Sequence, residues 1–199
     1  MADRKKLYDS QQHMLSLAFS ELSKHIKFAN AKMVENFEIQ TPGADGCYDL
    51  DLKFVADAQS CNFSFMPAVN SLTHFWFFLE DIVMEHDTPS IYFADQEGPE
   101  AILYVQKHSD GNITFTILSQ GWYEFIGYDS SGLERYKKVY NRDFSVIFNI
   151  KCDKKLFIQQ MYKTFSEYQN RIPEDAYFYN DAQYKSSLLQ DYLSNTKEQ

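Results

Sequence analysis

The sequence predicts an α+β domain in which an antiparallel β-sheet meander is flanked by helices. Several short segments alternate apolar with polar residues, which is the two-residue period of a half-buried strand. Other segments repeat apolar residues every three or four positions, which is the period of an amphipathic helix. Turn sequences such as Asp110-Gly111, a favoured two-residue hairpin turn, separate consecutive predicted strands. We therefore expect helices to cover one face of an antiparallel sheet.

Helices are predicted in the N-terminal, central and C-terminal parts of the chain. The first covers residues 7–28, where apolar residues recur at three- and four-residue spacing. Another covers residues 154–170 and has Asp153 as its N-cap. A weaker helical pattern follows near residues 181–194.

The central helix is predicted over residues 72–86, with Asn70 or Ser71 as its N-cap. Its aromatic run, Phe75–Phe78, widens the apolar face beyond one stripe, so we expect the helix to be covered on two sides. Four adjacent side chains point all round a helix, so at least one of these aromatic rings is expected near an exposed flank.

The strands follow from alternating apolar residues and from the turn residues that bound them. They are predicted at residues 34–40, 48–56, 61–65, 90–94, 100–107, 112–118 and 136–151. The last is either one long strand or two strands joined by a bend at residues 141–143. The strands expected to share one sheet are 48–56, 100–107, 112–118 and 144–151. The Gly- and Ser-rich stretch 119–134 is predicted to be a loop around Trp122. The residues expected in the core, from their inward positions in these elements, are Trp76, Leu79, Phe115, Phe148, Phe157 and Met161.

The chain length of 199 residues is typical of one domain. No linker or internal repeat divides it, so we assign residues 1–171 to a single α+β domain. Residues 172–199 are assigned to a C-terminal tail with a possible short helix.

Charge is distributed unevenly along the chain. The net charge is −9, yet residues 54–106 contain no Lys or Arg and carry eight carboxylates, seven of them between Glu80 and Glu100. A surface of this kind attracts a basic partner or a cation. The same net charge argues against binding to nucleic acid or to an anionic membrane surface.

Composition and the N-terminus favour a cytoplasmic protein. The three cysteines are an odd number without a C-x-x-C pair, which is typical of reduced thiols. The polar N-terminal segment does not resemble a signal peptide, and no apolar run is long enough to span a membrane.

Catalytic and metal-binding motifs are weak or absent. The sequence has no G-x-G-x-x-G, P-loop, G-x-S-x-G or H-E-x-x-H motif. Asp81, Glu85 and His86 could supply metal ligands, but a solvated helix end explains them more simply. Asp95 and Glu97 could form a carboxylate pair, although acids are common in solvated turns. We therefore predict no catalytic residue, no metal and no cofactor.

Acidic residues and two loop-like aromatic residues are the candidates for a partner-binding surface, since aromatic anchors with an acidic rim suit a protein interface. These candidates are Glu80, Asp81, Glu85, Asp87, Asp95, Glu97, Trp122 and Tyr123. The first hypothesis is a non-enzymatic binding protein that uses the acidic segment 80–100. The alternative is a small-molecule-binding domain or enzyme with a pocket between the sheet and helix 72–86. A third is an oligomerisation domain that exchanges its tail helix with a neighbour.

Three stretches carry a resemblance to a known class of proteins: Asn62–Pro67, Phe75–Ile82 and Asp95–Gly98. An aromatic-rich helix ending in Leu-Glu-x-Ile, followed by an acidic Glu-Gly turn between strands, resembles small bacterial proteins of the immunity type found in polymorphic toxin systems. The resemblance covers about residues 60–170. It implies a cytosolic, non-catalytic antitoxin that binds one toxin domain.

Overall fold

The structure is a computed structural model in which part of the chain is described. The described residues are 2–24, 26, 30–41, 50–57, 59–66, 71–84, 88–95, 100–128, 130, 134–176 and 179–195. The backbone alone is described at residues 2–4, 7, 11, 15, 18, 22, 95, 121–128, 134–142 and 182.

The described residues include four α-helices and eight strands. The helices are α1 (Ala2–Ser23), α2 (Leu72–Val83), α3 (Lys154–Gln169) and α4 (Ser187–Ser194), with a 3-10 turn at Asp181–Gln183. The strands are β1 (Lys32–Met33), β2 (Phe37–Gln40), β3 (Leu50–Ala56), β4 (Gln59–Phe65), β5 (Ser90–Asp95), β6 (Glu100–Lys107), β7 (Asn112–Tyr128) and β8 (Glu134–Asp153).

The α+β class is confirmed, but the strands form two sheets. Five strands pair in the order β1-β8-β7-β6-β5, and three pair in the order β2-β3-β4. The prediction that 48–56 shares a sheet with the later strands is therefore wrong, because β3 pairs with β2 and β4. The pairing is antiparallel except between β1 and β8, where Lys32 lies opposite Ile150 in parallel register.

The predicted loop at 119–134 is wrong, since β7 runs on to Tyr128 and β8 begins at Glu134. The pairing shifts register between Ser119 and Gly121 and again between Phe125 and Gly127. Glycine in a strand often marks such a bulge, so the residues that indicate a loop in the sequence mark irregularities in a long hairpin.

The β6–β7 turn is one residue longer than predicted. The Gly111 amide donates to the His108 carbonyl at 3.3 Å, and the His108 amide donates to the Asn112 carbonyl at 3.0 Å. Gly111 has a φ of +79°. A three-residue connection that ends in a left-handed glycine is the next common hairpin type after two-residue turns.

Aromatic side chains from both sheets and from α2 and α3 meet in one core. The ring of Phe54 in β3 lies 5.5 Å from that of Phe115 in β7, and Phe75 in α2 stacks on Phe165 in α3 at 3.8 Å. The six residues predicted for the core are all buried, which confirms that prediction.

Helix α2 is covered on every side. Its two-sided cover is confirmed, but the prediction of an exposed aromatic ring is wrong, because Phe75–Phe78 are all buried. Tyr8 of α1 packs edge-on against Phe77 at 5.5 Å, and Tyr184 of the C-terminal segment does so at 5.1 Å. Ser71 caps the helix as predicted, accepting a hydrogen bond from the His74 amide.

Helix α1 passes over the edge strand β5. Near its N-terminus Tyr8 packs beside α2, whereas Phe19 near its C-terminus joins a second apolar cluster on the outer face of the five-stranded sheet. Between them, the Gln12 side chain donates a 2.7 Å hydrogen bond to the Ile91 carbonyl of β5. A covered edge is protected against pairing with another chain.

The C-terminal segment contributes to the main core. Ile172, Ala176 and Leu189 belong to the same buried cluster as the aromatic residues of α2. Helix α4 lies within the weaker helical pattern that the sequence indicates at 181–194. None of the helices in the described part of the chain is both long and apolar enough to cross a membrane.

Candidate functional site

Glu80 lies inside the protein, where the sequence suggests a solvated helix end. Its exposed fraction is 6%, and its carboxylate accepts a 2.5 Å hydrogen bond from the Tyr184 hydroxyl. Burial and this carboxylate together raise the pKa of Tyr184. The expectation that Glu80 is solvated is therefore wrong, because a tyrosine 104 positions along the chain covers it.

Asp81 is engaged by two residues of α1. Its carboxylate accepts a hydrogen bond from the Tyr8 hydroxyl at 3.3 Å and lies 3.6 Å from the Lys5 ammonium group. Burial raises the pKa of Tyr8, and the Asp81 charge adds to the effect. The side chain is 15% exposed, so it too differs from the solvated acid that the sequence suggests.

A second lysine lies at the C-terminal end of α2. The Lys107 ammonium group donates to the carbonyl oxygens of Asp81 at 3.0 Å and of Met84 at 3.2 Å. A cation at this end of a helix is stabilised by the carbonyl groups exposed there. Lys5 and Lys107 both lie outside the segment without cations in sequence, but in space they bring positive charge to the end of α2.

The remaining acidic candidates are described only in part. Glu85, Asp87 and Glu97 lie outside the described residues. Asp95 ends β5, and its backbone lies directly opposite Glu100, the first residue of β6. Two acidic residues are therefore paired in the backbone register where β5 ends and β6 begins.

Trp122 and Tyr123 lie in β7 rather than in a loop. Their backbones pair with Val139 and Lys138 of β8. Only the backbone is described at these positions, so their role as aromatic anchors stays a prediction.

The described cysteines are buried thiols. Burial raises the pKa of both Cys61 and Cys152 to about 12, which keeps them protonated near neutral pH. Cys47 lies outside the described residues. Among the side chains that the structure describes, no three of His, Cys, Asp and Glu come close enough to hold a metal ion.

An open cavity of about 650 Å³ lies between α1 and the outer face of the five-stranded sheet. Its floor includes one row of residues paired in register across β6, β7 and β8, namely Tyr104, Thr116 and Asn149. Side chains alternate between the two faces of a strand, so this row points away from the core that contains α2. The cavity is thus on the opposite sheet face from the pocket that the sequence analysis places beside helix 72–86.

Helix α1 forms the opposite wall of the cavity. Ser16, Ser20 and Ser23 line it at spacings of four and three residues, which places them on one helix face. Between them, the ring of Phe19 stacks on Tyr104 with a centroid distance of 4.5 Å. Burial raises the pKa of the Tyr104 hydroxyl.

The cavity was missed because its two walls are far apart in sequence. The serine spacing in α1 is visible in the sequence, but serine is also an ordinary residue of a solvated helix face. Thr114 and Thr116 fit the polar face of a strand, and this pattern predicts that the face is exposed to solvent and not covered by a helix. Only the passage of α1 over β5 brings the two sets together.

No family model, no curated protein and no solved structure matches this chain.

Proposed function

We propose that this chain is a non-enzymatic, cytoplasmic binding protein of the immunity type that recognises a basic protein partner. The observation that carries the proposal is the register of the β5–β6 hairpin, which sets Asp95 opposite Glu100. The Glu100 side chain is exposed, and the backbone register pairs it with a second acidic residue in the neighbouring strand. Acidic residues concentrated at this end of the hairpin attract a basic partner.

The charge of the surrounding segment supports the same interpretation. Glu97 falls within the connection between Asp95 and Glu100, and the Glu100 side chain is exposed. No Lys or Arg occurs anywhere in residues 54–106. Acidic charge without neighbouring cations in the chain attracts a basic surface and steers its approach.

The position of the proposed surface follows from the contacts of Glu80 and Asp81. Both carboxylates are engaged within the chain, with Tyr184 on the first and with Tyr8 and Lys5 on the second. We therefore move the proposed surface from the body of α2 to residues 85–100, with Trp122 and Tyr123 kept as candidate anchors.

The partner is first to be captured from native lysate and identified by mass. Association rates are then compared for two variants with equal charge change. The test variant reverses Glu85, Asp87, Glu97 and Glu100 to Lys. The control variant reverses Glu167, Glu174, Asp175 and Asp191, all of which are exposed and lie outside the acidic segment.

We expect the test variant to associate at least about tenfold more slowly at low salt, and the deficit to shrink as salt rises, because exposed charges are screened beyond ~8–10 Å at physiological ionic strength. Equal losses in the two variants would mean that net charge alone matters. No loss in the test variant would remove residues 85–100 from the interface.

A further inference from the structure

The outer face of the five-stranded sheet is divided into an apolar part and a polar part. Ile102 and Leu118 form the apolar part together with Phe19 of α1. Four residues away along β6 and β7, the same face carries Gln106 and Thr114, which line the cavity. A sheet face covered by a helix is ordinarily apolar throughout, so polar residues under α1 need a separate explanation.

The strand register also determines which side chains lie next to each other across the cavity floor. Ile91 lies opposite Tyr104, which lies opposite Thr116, which in turn lies opposite Asn149. Along this row, the β5 and β6 positions are therefore apolar and aromatic, and the β7 and β8 positions carry hydroxyl and amide groups. A molecule held here meets a ring at one end and hydrogen-bonding groups at the other.

The polar floor groups are held in place by their neighbours. The Thr116 hydroxyl donates to the Asn149 side-chain oxygen at 2.9 Å, which fixes the orientation of that amide. The Thr114 hydroxyl lies 2.8 Å from Nε2 of His108. Binding groups that are fixed beforehand lose less conformational entropy when a ligand arrives.

The wall on α1 is made of small residues. Serine is a weaker helix former than alanine or leucine, and three serines on one face lower the helical stability of α1. Their small side chains leave the space between the helix and the sheet open. The Ser23 hydroxyl also donates a hydrogen bond of 3.0 Å to the Ser20 carbonyl, so the donor of this hydroxyl is already used within the helix.

We propose that this cavity is a binding site for a small, uncharged, polyhydroxylated molecule of the size of a mono- or disaccharide. No charged residue lines the cavity among the residues that the structure describes, so it offers no counter-ion to a charged ligand. Its volume of about 650 Å³ lies within the range of ordinary ligand sites. A sugar has both an apolar C–H face and hydroxyl groups, which matches the Tyr104 side and the Asn149 side of the floor.

Neutral saccharides are the probes for this site: glucose, galactose, N-acetylglucosamine and maltose. Saturation-transfer NMR and titration calorimetry on the full chain measure their binding, with glucuronate as a charged counterpart. We expect at least one neutral saccharide to bind with a dissociation constant of about 1 mM or tighter, and glucuronate to bind at least about tenfold more weakly.

Two variants test the place of binding. Ser20→Phe fills the cavity from the α1 wall and is expected to abolish binding. Thr116→Val keeps the shape of the side chain but removes the hydroxyl that orients Asn149, and it is expected to weaken binding about fivefold. The matched control is Ser10→Phe, at an exposed position of α1 that does not line the cavity.

Far-ultraviolet circular dichroism and the unfolding midpoint show whether each variant is folded. Folded Ser20→Phe protein that still binds the saccharide would overturn the proposal, as would equal weakening by Ser10→Phe. The proposal also fails if no neutral saccharide binds the wild-type chain at about 10 mM, well above the expected dissociation constant. Pro89 and Ile91 line the cavity, but none of these substitutions lies within residues 85–100. The measurement is saccharide binding without a protein partner, so its failure is distinguishable from failure of the basic-partner proposal.

Discussion

The Tyr184 hydroxyl donates a hydrogen bond of 2.5 Å to the Glu80 carboxylate and so connects the C-terminal segment to the central helix. The Tyr184 ring also packs against Phe77, on the neighbouring turn of that helix. Both contacts join elements that are remote in sequence. The segment after residue 171 is therefore an integral cover for α2.

Replacing Tyr184 by Phe is expected to lower the free energy of unfolding by about 1.5–3 kcal/mol, the usual range for a hydrogen bond to a charged group. The ring contact with Phe77 is kept, so the change reports the hydroxyl alone. Urea titration measures the loss. The matched control is Tyr179→Phe, at a half-buried tyrosine of the same segment, and equal losses would contradict a specific role for the Glu80 bond.

Asp181 is expected to stabilise the first turn of α2. Its carboxylate accepts from the Thr73 amide at 3.3 Å and from the Ser71 hydroxyl at 3.2 Å. Asp181→Ala should lower the free energy of unfolding by about 0.5–2 kcal/mol, as for the loss of a helix cap, and should speed hydrogen exchange at the Thr73 amide. Asp175→Ala, at an exposed position, should change it by less than ~0.5 kcal/mol. Unchanged exchange at Thr73 would contradict the cap.

Stability is expected to fall as pH rises above 9. The pKa of the thiols of Cys61 and Cys152 is raised from 9.0 to about 12 in the folded protein. Between these values the unfolded chain loses thiol protons that the folded chain keeps, so each thiol lowers the free energy of unfolding by up to ~1.4 kcal/mol per pH unit. Below pH 9 both thiols are protonated in the folded and the unfolded chain, so their stabilising contribution to the free energy of unfolding is fully retained.

Urea titrations between pH 7 and pH 10 measure this effect, because the raised pKa values of Tyr8 and Tyr184 act only above the ordinary tyrosine value of 10.0. The Cys61→Ala/Cys152→Ala variant should show a flatter dependence over the same range. The same slope in both proteins would mean that other groups cause the loss.

Phe148→Ala is expected to lower the free energy of unfolding by about 3–5 kcal/mol, because the ring is fully packed and leaves a cavity when removed. Phe148 lies 6.1 Å from Phe54 and 6.0 Å from Phe115, so its loss affects both sheets. The control is Met33→Ala at an exposed position, with an expected change under ~0.5 kcal/mol. A loss below ~1 kcal/mol for Phe148→Ala would contradict the packed position of this ring.

Local signals in the sequence were sufficient for most elements. Asp153 and Ser71 cap α3 and α2 as predicted, because an N-cap acts on amides two or three residues away. Strand β6 has the predicted bounds, since its apolar alternation lies between turn residues. These features depend on neighbours in sequence, which is why the sequence reveals them.

Features that depend on distant contacts were not predictable in the same way. Glu80 reads as a solvated acid until Tyr184 covers it, and nothing near Glu80 indicates that partner. The division of the strands into two sheets likewise depends on which strands pair with β3. The alternation of apolar and polar residues does not by itself specify the pairing partner. The candidate cavity belongs to this class, because α1 and β7 meet only in the folded chain.

Because 108 positions separate Thr73 from Asp181, the contact between them forms only after a delay during synthesis. At ~5–20 residues per second, Asp181 leaves the ribosome roughly 5–20 s after Thr73. During that interval the nascent chain presents an aromatic helix that lacks its contacts with Asp181 and Tyr184. We expect this incomplete nascent chain to be the species that chaperones bind and that aggregates when chaperones are scarce.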